Sequence, residues 1–568
     1  MAFQISPGVN VSEIDLTTVV PSVLTTAGAF AGTFPWGPAN QITLIDSEIN
    51  LINTFAPKGP DSDSAISFFT AANFLSYGNN LQLVRSVGDM ANNATAGDNV
   101  QVLNKSVFEQ SFLYNNNSND YGAFIAKFPG SLGNSIEVAV CANTSTFSTW
   151  DYKLYFSSAP GTSDYATAQG GSNDEMHVVV IDAAGQFTGV AGTVLETFAF
   201  VSKAYDAKLN GISNYYKQVI FDNSKYVYAI DPVDYATTSA TWGDMAAGTT
   251  FASPASNQLV TLSNGSDDIP SNGNLEMAYD LFQNKESIDI SLVLTGDADS
   301  TLQDYIISTI GNPDTLTDSR RDCVIFVSPP QQTVVNNSGS ESSDIVAWSN
   351  SITKSSYVFA DSGWKYQYDK YNNVYRWIPL NGDMAGLCVN TDTVRDPWFS
   401  PAGFNRGSVK NCIKLSWNPA KSARDIIYSA GVNPVVSFPG QGVVLYGDKT
   451  LTNKPSAFDR INVRRLFIAL EKSISTAAKY SLFELNDEFT RAQFVSLITP
   501  YLRDVQGRRG ITDFKVVCDG TNNTPQVIDS NRFVGDIYIK PARSINYIQL
   551  NFVAVATGVD FTTVVGAA

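Results

Sequence analysis

In the middle of the chain, segments whose apolar residues are spaced as in a strand alternate with segments whose apolar residues are spaced as in a helix. Two short, strongly apolar runs at 288–294 and 322–330 flank a segment with helical periodicity at 300–310. A strand, a helix and a strand with short joins are typical of a βαβ unit, whose strands pair in parallel. A helical pattern at 64–77 followed by a strand pattern at 81–87 extends the same layout toward the N-terminus. These segments predict an α/β layer.

A different pattern fills residues 96–190, which are rich in Asn, Ser, Thr and Gly. Short β-prone runs at 136–141, 152–156 and 177–182 alternate with polar turns, which predicts a β-rich unit. Because it interrupts the α/β pattern, we interpret it as an insertion. Residues 331–345 are rich in Ser and Asn and predict a loop or linker.

The C-terminal part predicts two helices followed by strands. A helix is expected at 462–480 and a second at 487–499, which Pro500 should end or kink. Strands are expected at 513–519, 533–541 and 545–556. The apolar face of the first helix consists of Val463, Leu466, Phe467, Leu470, Ile474 and Ala477.

The two ends of the chain carry patterns that suit pairing with another sheet. Residues 1–20 alternate with a rough period of two around a Pro7-Gly8 turn signal and predict an extended arm. Such an arm either adds a strand to a sheet, in its own chain or in a neighbour's, or is a frayed terminus. The last predicted strand is uniformly polar on neither face, so we expect both faces to be covered. The positions concerned are Phe3, Ile5, Val9 and Val11 at the start, and Ile545, Tyr547, Ile548, Leu550 and Phe552 at the end.

Composition narrows the classes of function. The chain has 568 residues, enough for three or four domains, and a net charge of −17, which argues against binding nucleic acid through the surface as a whole. A single histidine and five dispersed cysteines without a CxxC pair fit neither a zinc site nor a disulfide framework, and indicate reduced thiols in a protein made in the cytosol. We expect no signal peptide and no membrane span.

The search for chemistry yields no catalytic, cofactor or metal site. Residues 442–450 approach a nucleotide-binding P-loop, but Asp448 stands between Gly447 and Lys449, and the preceding residues are strand formers. A strand followed by a turn is the favoured interpretation. Residues 369–373 lack the glycine and glutamate of a calcium loop and predict a turn between strands. His177, in a Val-rich strand, is expected to be structural.

One charge pattern stands out on the helix at 462–480. Arg465, Lys472 and Lys479 are seven residues apart, so they should point in nearly the same direction, with Arg464 nearby. In an acidic chain, this basic stripe is a candidate dock for an acidic partner. The alternative is a solvated helix face paired with local acids.

Several segments resemble the contractile tail sheath proteins of bacteriophages. They include PGVNVSEID (7–15), YDKYNNVYRWIPLNGDMAGLC (368–388), RDPWFSPAGFNRG (395–407), GVNPVVSFPGQGVVLYGDKT (431–450) and SAFDRINVRRLFIALEKSI (456–474). The resemblance continues in order through FELNDEFTR (483–491) and the closing strands, and it covers nearly the whole chain.

The resemblance implies a non-enzymatic multidomain protein with mixed α+β and α/β architecture. Its expected parts are an N-terminal arm (1–22), an α/β middle domain (23–95 and 191–345), an inserted β-rich outer domain (96–190), and a C-terminal α+β assembly domain (346–568) that the arm joins. Subunits of the family stack as hexameric rings around a tail tube, and the arm and last strands cross into neighbouring subunits. The Arg465, Lys472 and Lys479 stripe then becomes the candidate dock for the tube.

The implied partners are further copies of the chain, the tail tube protein, and the baseplate and tail terminator proteins, with no nucleic acid, cofactor or membrane insertion. The implied location is the virion, after assembly in the host cytoplasm. A sheath from a phage-tail-like bacteriocin or secretion system is the closest alternative. An NTP-binding enzyme that uses residues 442–450, or a carbohydrate-binding virion protein, would belong to another class.

Overall fold

The structure is a computed structural model that describes residue 20 and residues 23–113, 119–311, 320–452 and 455–550. Within these ranges the chain divides into two compact units, one ending at Glu484 and the other beginning at Leu485. No helix in the described ranges is long and apolar enough to cross a membrane.

The strands belong to several separate sheets. They are β1 (Gly28–Thr33), β2 (Ile42–Ile45), β3 (Leu81–Ser86), β4 (Phe124–Ala126), β5 (Ile136–Cys141), β6 (Glu175–Asp182), β7 (Thr193–Ser202), β8 (Lys208–Leu209), β9 (Ile212–Ser213), β10 (Val227–Ala229), β11 (Gln258–Thr261), β12 (Leu292–Leu294), β13 (Val324–Val327), β14 (Val358–Asp361), β15 (Trp364–Asp369), β16 (Val374–Pro379), β17 (Lys414–Leu415), β18 (Val432–Asn433), β19 (Val435–Phe438), β20 (Gly442–Leu445), β21 (Ile511–Val517) and β22 (Asp536–Pro541).

The helices vary from one turn to more than five. They are α1 (Glu48–Phe55), α2 (Ala65–Leu75), α3 (Lys105–Phe108), α4 (Asp164–Ala168), α5 (Tyr216–Asn223), α6 (Tyr235–Thr238), α7 (Asn272–Asp280), α8 (Ser300–Ile306), α9 (Gln331–Val334), α10 (Glu341–Ser351), α11 (Asn381–Val394), α12 (Lys421–Ser429), α13 (Ile461–Ala478), α14 (Glu488–Gly507) and α15 (Pro525–Asp529).

A seven-stranded sheet forms the centre of the first unit, in the order β18-β14-β13-β12-β1-β3-β2. All neighbours pair in parallel except β2, which is an antiparallel edge strand. Successive strand residues face opposite sides, so Leu292 and Leu294 pack toward α2 and α11, and Val293 packs toward α7 and α8. The predicted βαβ unit is confirmed as β12-α8-β13, with both faces of the sheet covered.

The sheet contradicts the predicted boundary between residues 345 and 346. Strands β14 and β18 lie beyond that point: β14 pairs with β13, and β18 pairs in turn with β14. The prediction was wrong because a parallel sheet collects strands that are distant in sequence, whereas a change in local composition marks only a loop. Residues 341–345, part of the predicted linker, begin helix α10.

The region predicted to be a β-rich insertion does contain strands, but the sheet they form extends beyond residue 190. Its antiparallel sheet has the order β11-β5-β6-β7, so strands at 193–202 and 258–261 belong to it. Bridges between Asn92 and Ser266 and between Thr95 and Ser263 close its base. The strand predicted at 152–156 is instead a 3₁₀ turn, Lys153–Tyr155, which brings Phe156 into a stack on Trp150 with ring centroids 5.3 Å apart.

The second unit consists of α14, the β21-β22 ribbon and α15. Helix α14 passes through Pro500 and ends at Gly507, so of the two predicted effects, an end or a kink at Pro500, the end is wrong. Pro500 costs the helix one backbone hydrogen bond, but Phe494, Ile498 and Leu502 are buried along one face at intervals of four residues. That packing holds the two halves in one element.

Candidate assembly surface

The segment that follows β22 has no secondary structure within the described residues and lies open to solvent. Four of the predicted exchange residues fall in it: the exposed fractions are 82% for Ile545, 82% for Tyr547, 76% for Ile548 and 71% for Leu550. The strand predicted to begin at 545 is therefore absent from residues 545–550 in the single chain. Exposed side chains occur at both odd and even positions, so these four apolar side chains are not buried against the described part of the chain.

The N-terminal part of the prediction lies mostly outside the described residues. Phe3, Ile5, Val9 and Val11 belong to that part, as does Phe552 at the other end. Within the predicted arm 1–22, Val20 alone is described, and it is buried with 6% exposure.

The ribbon that precedes the open segment has two strands only. Strand β21 pairs antiparallel with β22, and within the described part of the chain neither strand has a second neighbour. Helix α14 supplies its apolar support, with the Phe494 ring 5.2 Å from that of Phe533. Two-stranded ribbons are marginal in water, and their outer edges present unpaired N–H and C=O groups to another strand.

The basic stripe predicted on α13 is not an exposed surface. Arg465 is 4% exposed, and its guanidinium forms a two-pronged ion pair with Asp392 on α11, with N···O distances of 2.8 and 2.6 Å. Burial acts to lower the pKa of Arg465, but the adjacent Asp392 carboxylate raises it, so the group is held charged. Arg464 is also buried, with its guanidinium 4.1 Å from the centre of the Tyr357 ring.

Lys472 is likewise engaged within the chain. Its ammonium donates to the Asp289 carboxylate at 2.8 Å, to the Ile290 carbonyl at 2.7 Å and to the Ser291 hydroxyl at 3.0 Å. Lys479, by contrast, is exposed. The expected exposure of the stripe is wrong for Arg465 and Lys472, because both side chains form ion pairs with other parts of the chain, whereas docking on a tube stays a prediction.

Residues 442–450, the segment that approaches a nucleotide-binding P-loop, have structural roles within the chain. Strand β20 pairs with β19, so backbone amides of the P-loop-like segment serve a hairpin. Lys449 donates to the Tyr428 carbonyl at 2.7 Å, and Asp448 accepts from Ser400 at 3.0 Å. The strand half of that interpretation is confirmed, whereas residues 446–450 form an irregular segment and not a turn. The turn predicted between two strands is confirmed at 370–373, between β15 and β16.

His177 is confirmed as a structural residue. It is fully buried on β6, with Nε2 2.9 Å from the Ser158 carbonyl and Nδ1 accepting from the Phe200 amide at 3.1 Å. These partners require the neutral tautomer with the proton on Nε2, and burial lowers its pKa. No group of three or more potential metal ligands occurs among the described residues.

Comparison with known proteins identifies the family. Residues 285–451 match the phage tail sheath protein central domain, and residues 453–554 match the phage tail sheath C-terminal domain. The chain is 34% identical to the tail sheath protein of Vibrio phage KVP40, with 99% of this chain and 100% of that protein covered. It is 33% identical to the tail sheath protein of Enterobacteria phage T4, with 99% of each covered. The chain belongs to the phage tail sheath protein family. That family consists of structural virion proteins and not of enzymes.

Solved sheath structures share the fold. The sheath tail protein of Listeria innocua superposes with a TM-score of 0.54 at 12% identity, covering 92% of this chain and 96% of that one. The sheath of an extracellular contractile injection system in its contracted state gives a TM-score of 0.50 at 12% identity, covering 97% and 98%. The mixed α/β multidomain fold is thus common to sheath proteins whose sequences have diverged widely.

Proposed function

We propose that this chain polymerises as stacked hexameric rings around a tail tube and contracts to drive the tube through the host envelope. Its partners are then further copies of itself, the tube protein, and the baseplate and tail terminator proteins. Assembly takes place in the host cytoplasm and the product is part of the virion. The phage relatives, aligned over their full length, favour a phage tail over a bacteriocin or secretion sheath.

The observation that carries the proposal is the open C-terminal end. A two-stranded ribbon, whose outer edges have no partner strand among the described residues, leads directly into a segment whose large apolar side chains, among them Ile545 and Tyr547, are more than two-thirds exposed. Exposed apolar residues in a β-prone run are an aggregation hazard unless another chain covers them. Strand addition between subunits, in which the arm at 1–22 and the last strands complete a shared sheet, covers both the edges and the side chains. The α+β assembly domain proposed at the C-terminal end would be built in this way.

Backbone pairing suits a subunit of this charge. At −17 the copies repel one another, so contacts must be directional and short-ranged to hold them together. Ladder hydrogen bonds have that character, because their geometry depends little on side-chain charge. Flexible joins beside the shared sheet would let subunits rotate without losing connection, which contraction of a metastable array requires.

Docking on the tube remains part of the proposal, but it cannot use the predicted stripe as a whole. Arg465 and Lys472 are occupied by Asp392 and Asp289, which leaves Lys479 as the exposed member. The energy for contraction would come from the assembled state, since the segment at 442–450 serves a hairpin.

A proline scan of the tail tests strand addition. We expect Ile548→Pro to abolish tube formation, because proline removes a ladder donor, worth about 1 kcal/mol, at every subunit contact. Ile548→Val keeps the donor and a β-branched side chain and should assemble like the parent. Negative-stain microscopy measures tubes, and circular dichroism confirms that the monomer is folded. Normal tubes from Ile548→Pro would overturn the proposal, as would normal tubes after deletion of residues 1–20.

A further inference from the structure

The buried ion pair on α13 also holds the chain where it emerges from the N-terminal segment. Asp392 accepts a hydrogen bond from the Thr25 hydroxyl at 2.6 Å, on the same oxygen that Arg465 engages. The Arg465 guanidinium also lies 3.4 Å from the Thr25 carbonyl. Thr25 is therefore tied, by side chain and backbone, to a pair that joins α11 and α13.

A second tie, two helical turns further along α13, holds the preceding residue. The Leu24 carbonyl accepts from the Ser291 hydroxyl at 3.0 Å, and Lys472 donates to that same hydroxyl at 3.0 Å. Lys472 is itself fixed by Asp289, and its ammonium lies 3.6 Å from Asp322. Ser291 is 4% exposed, so this link is sheltered from water.

The chain then enters the central sheet. The Ala27 carbonyl accepts from the amides of Ser291 and Leu292, at 2.9 and 3.1 Å, and β1 begins at Gly28. Between the contacts beside α13 and the start of β1, three of the four residues 24–27 thus make a hydrogen bond: Leu24, Thr25 and Ala27. Two of the three basic residues that the sequence suggested for tube docking, Arg465 and Lys472, share one structural task here.

We propose that Arg465–Asp392 and Lys472–Ser291 form a clamp on the root of the N-terminal arm. The clamp fixes Leu24 and Thr25 to α11, to α13 and to Ser291, the residue that precedes β12. This proposal rests on the proposed function in one respect: if the arm carries a strand into a neighbouring subunit, tension along it reaches the body at the clamp. The clamp then transfers the load to two buried helices and prevents β1 from being pulled out of the sheet from its end.

Chymotrypsin cleavage after Leu24 measures the clamp in the free full-length protein. The protease must engage the Leu24 carbonyl, which Ser291 occupies, while the Leu24 side chain is already 48% exposed. We expect Ser291→Ala to release the peptide 1–24 about tenfold faster, as the loss of one sheltered hydrogen bond implies. Mass spectrometry of the digest gives the rate, and the cleavage sequence itself is unchanged.

Ser287→Ala is the matched control, because Ser287 is exposed and, among the described residues, its hydroxyl donates to the Asn284 carbonyl alone, at 3.3 Å. It should be cleaved after Leu24 at the parental rate. Thr25→Val, which removes the donor to Asp392 and keeps the shape, gives a second variant that leaves the ion pair in place. Its tubes should dissociate at a lower urea concentration than those of Thr26→Val, whose hydroxyl makes no hydrogen bond within the described residues.

The outcomes separate the clamp from the strand-addition proposal. Equal cleavage rates for Ser291→Ala, Ser287→Ala and the parent would overturn the clamp, whatever the tubes do. A faster rate with an unchanged thermal midpoint supports it, because a general loss of stability would lower that midpoint. If Ile548→Pro assembles normally while Ser291→Ala is cleaved faster, strand addition fails and the clamp stands.

Discussion

The two compact units differ in how completely each satisfies its own backbone and apolar surface. In the first, seven strands share one sheet, and helices cover both faces. In the second, two strands share a ribbon, and the chain leaves it with its apolar side chains in solvent. The first unit is built to stand alone, whereas the second carries edges that another chain can complete.

The two units also differ in net charge. Residues 485–568 contain eight Lys or Arg and eight Asp or Glu, so the net charge of −17 resides entirely in residues 1–484. A neutral unit can approach other copies without the repulsion that acts between the acidic bodies. The strand addition proposed above would then join subunits through the neutral unit.

Two ion pairs with similar N···O distances give the largest expected contrast. Lys365–Asp383 in the body is fully buried at 2.9 Å, whereas Lys540–Asp513 on the ribbon is exposed at 3.0 Å. We expect Asp383→Ala to lower the free energy of unfolding by about 3–5 kcal/mol, because it leaves a buried ammonium without its counter-charge. Asp513→Ala should leave the urea unfolding curve unchanged. Equal losses of unfolding free energy for Asp383→Ala and Asp513→Ala would contradict the expectation that burial sets the cost of breaking an ion pair.

A smaller effect should show whether the second unit melts separately. Phe494 is 6% exposed and packs on Phe533, so Phe494→Ala should destabilise the unit that begins at Leu485 by about 3 kcal/mol. Phe489 on the same helix is 76% exposed, and Phe489→Ala is the matched control. Calorimetry should show one transition shifted and the body's transition unmoved. A common shift of both transitions would contradict two independent units.

The third effect is a pH dependence in the body, and per pH unit it is the smallest of the three. Burial at the end of β14 raises the pKa of Asp361 to about 8, so the folded protein holds a proton that the unfolded chain releases near its ordinary pKa of about 4. Stability from this group is full below about pH 4 and is lost as pH rises toward 8, by at most about 1.4 kcal/mol per pH unit. The free energy of unfolding of Asp361→Asn, measured in urea, should therefore rise relative to that of the parent as the pH increases from 5 to 8.

Asp513 on the ribbon should respond in the opposite direction. The hydrogen bond from Lys540 lowers the pKa of Asp513, so any stability that it contributes is present above its unfolded pKa and is lost as pH falls. Asp513→Asn should match the parent between pH 5 and 8. If the unfolding free energy of Asp513→Asn rose with pH as much as that of Asp361→Asn, the pH dependence would not be specific to the buried carboxyl.

Much of the local structure was predictable, because periodicity is a short-range property. The helix α13 and the strands β12 and β13 agree with their predicted positions to within a few residues, and His177 is the buried residue that its Val-rich strand indicated. The fate of Arg465 could not be read in the same way. A helical wheel shows which residues share a face, but only the packing of α11 and the root of the arm shows what covers it. The clamp is completed by Asp392, Thr25 and Ser291. No motif or periodicity in the sequence marks these three residues.

By itself the sequence determined the family, the α/β layer, the β-rich insertion and the order of most elements, since these follow from periods and motifs along the chain. The tertiary structure alone decided that strands at 193–202 and 258–261 belong to the insertion, and that β14 and β18 complete the central sheet. It also decided that Arg465 and Lys472 face inward while Ile545 and Tyr547 face solvent. Sheet partners and buried charges depend on contacts between residues hundreds of positions apart, and no local pattern records those contacts.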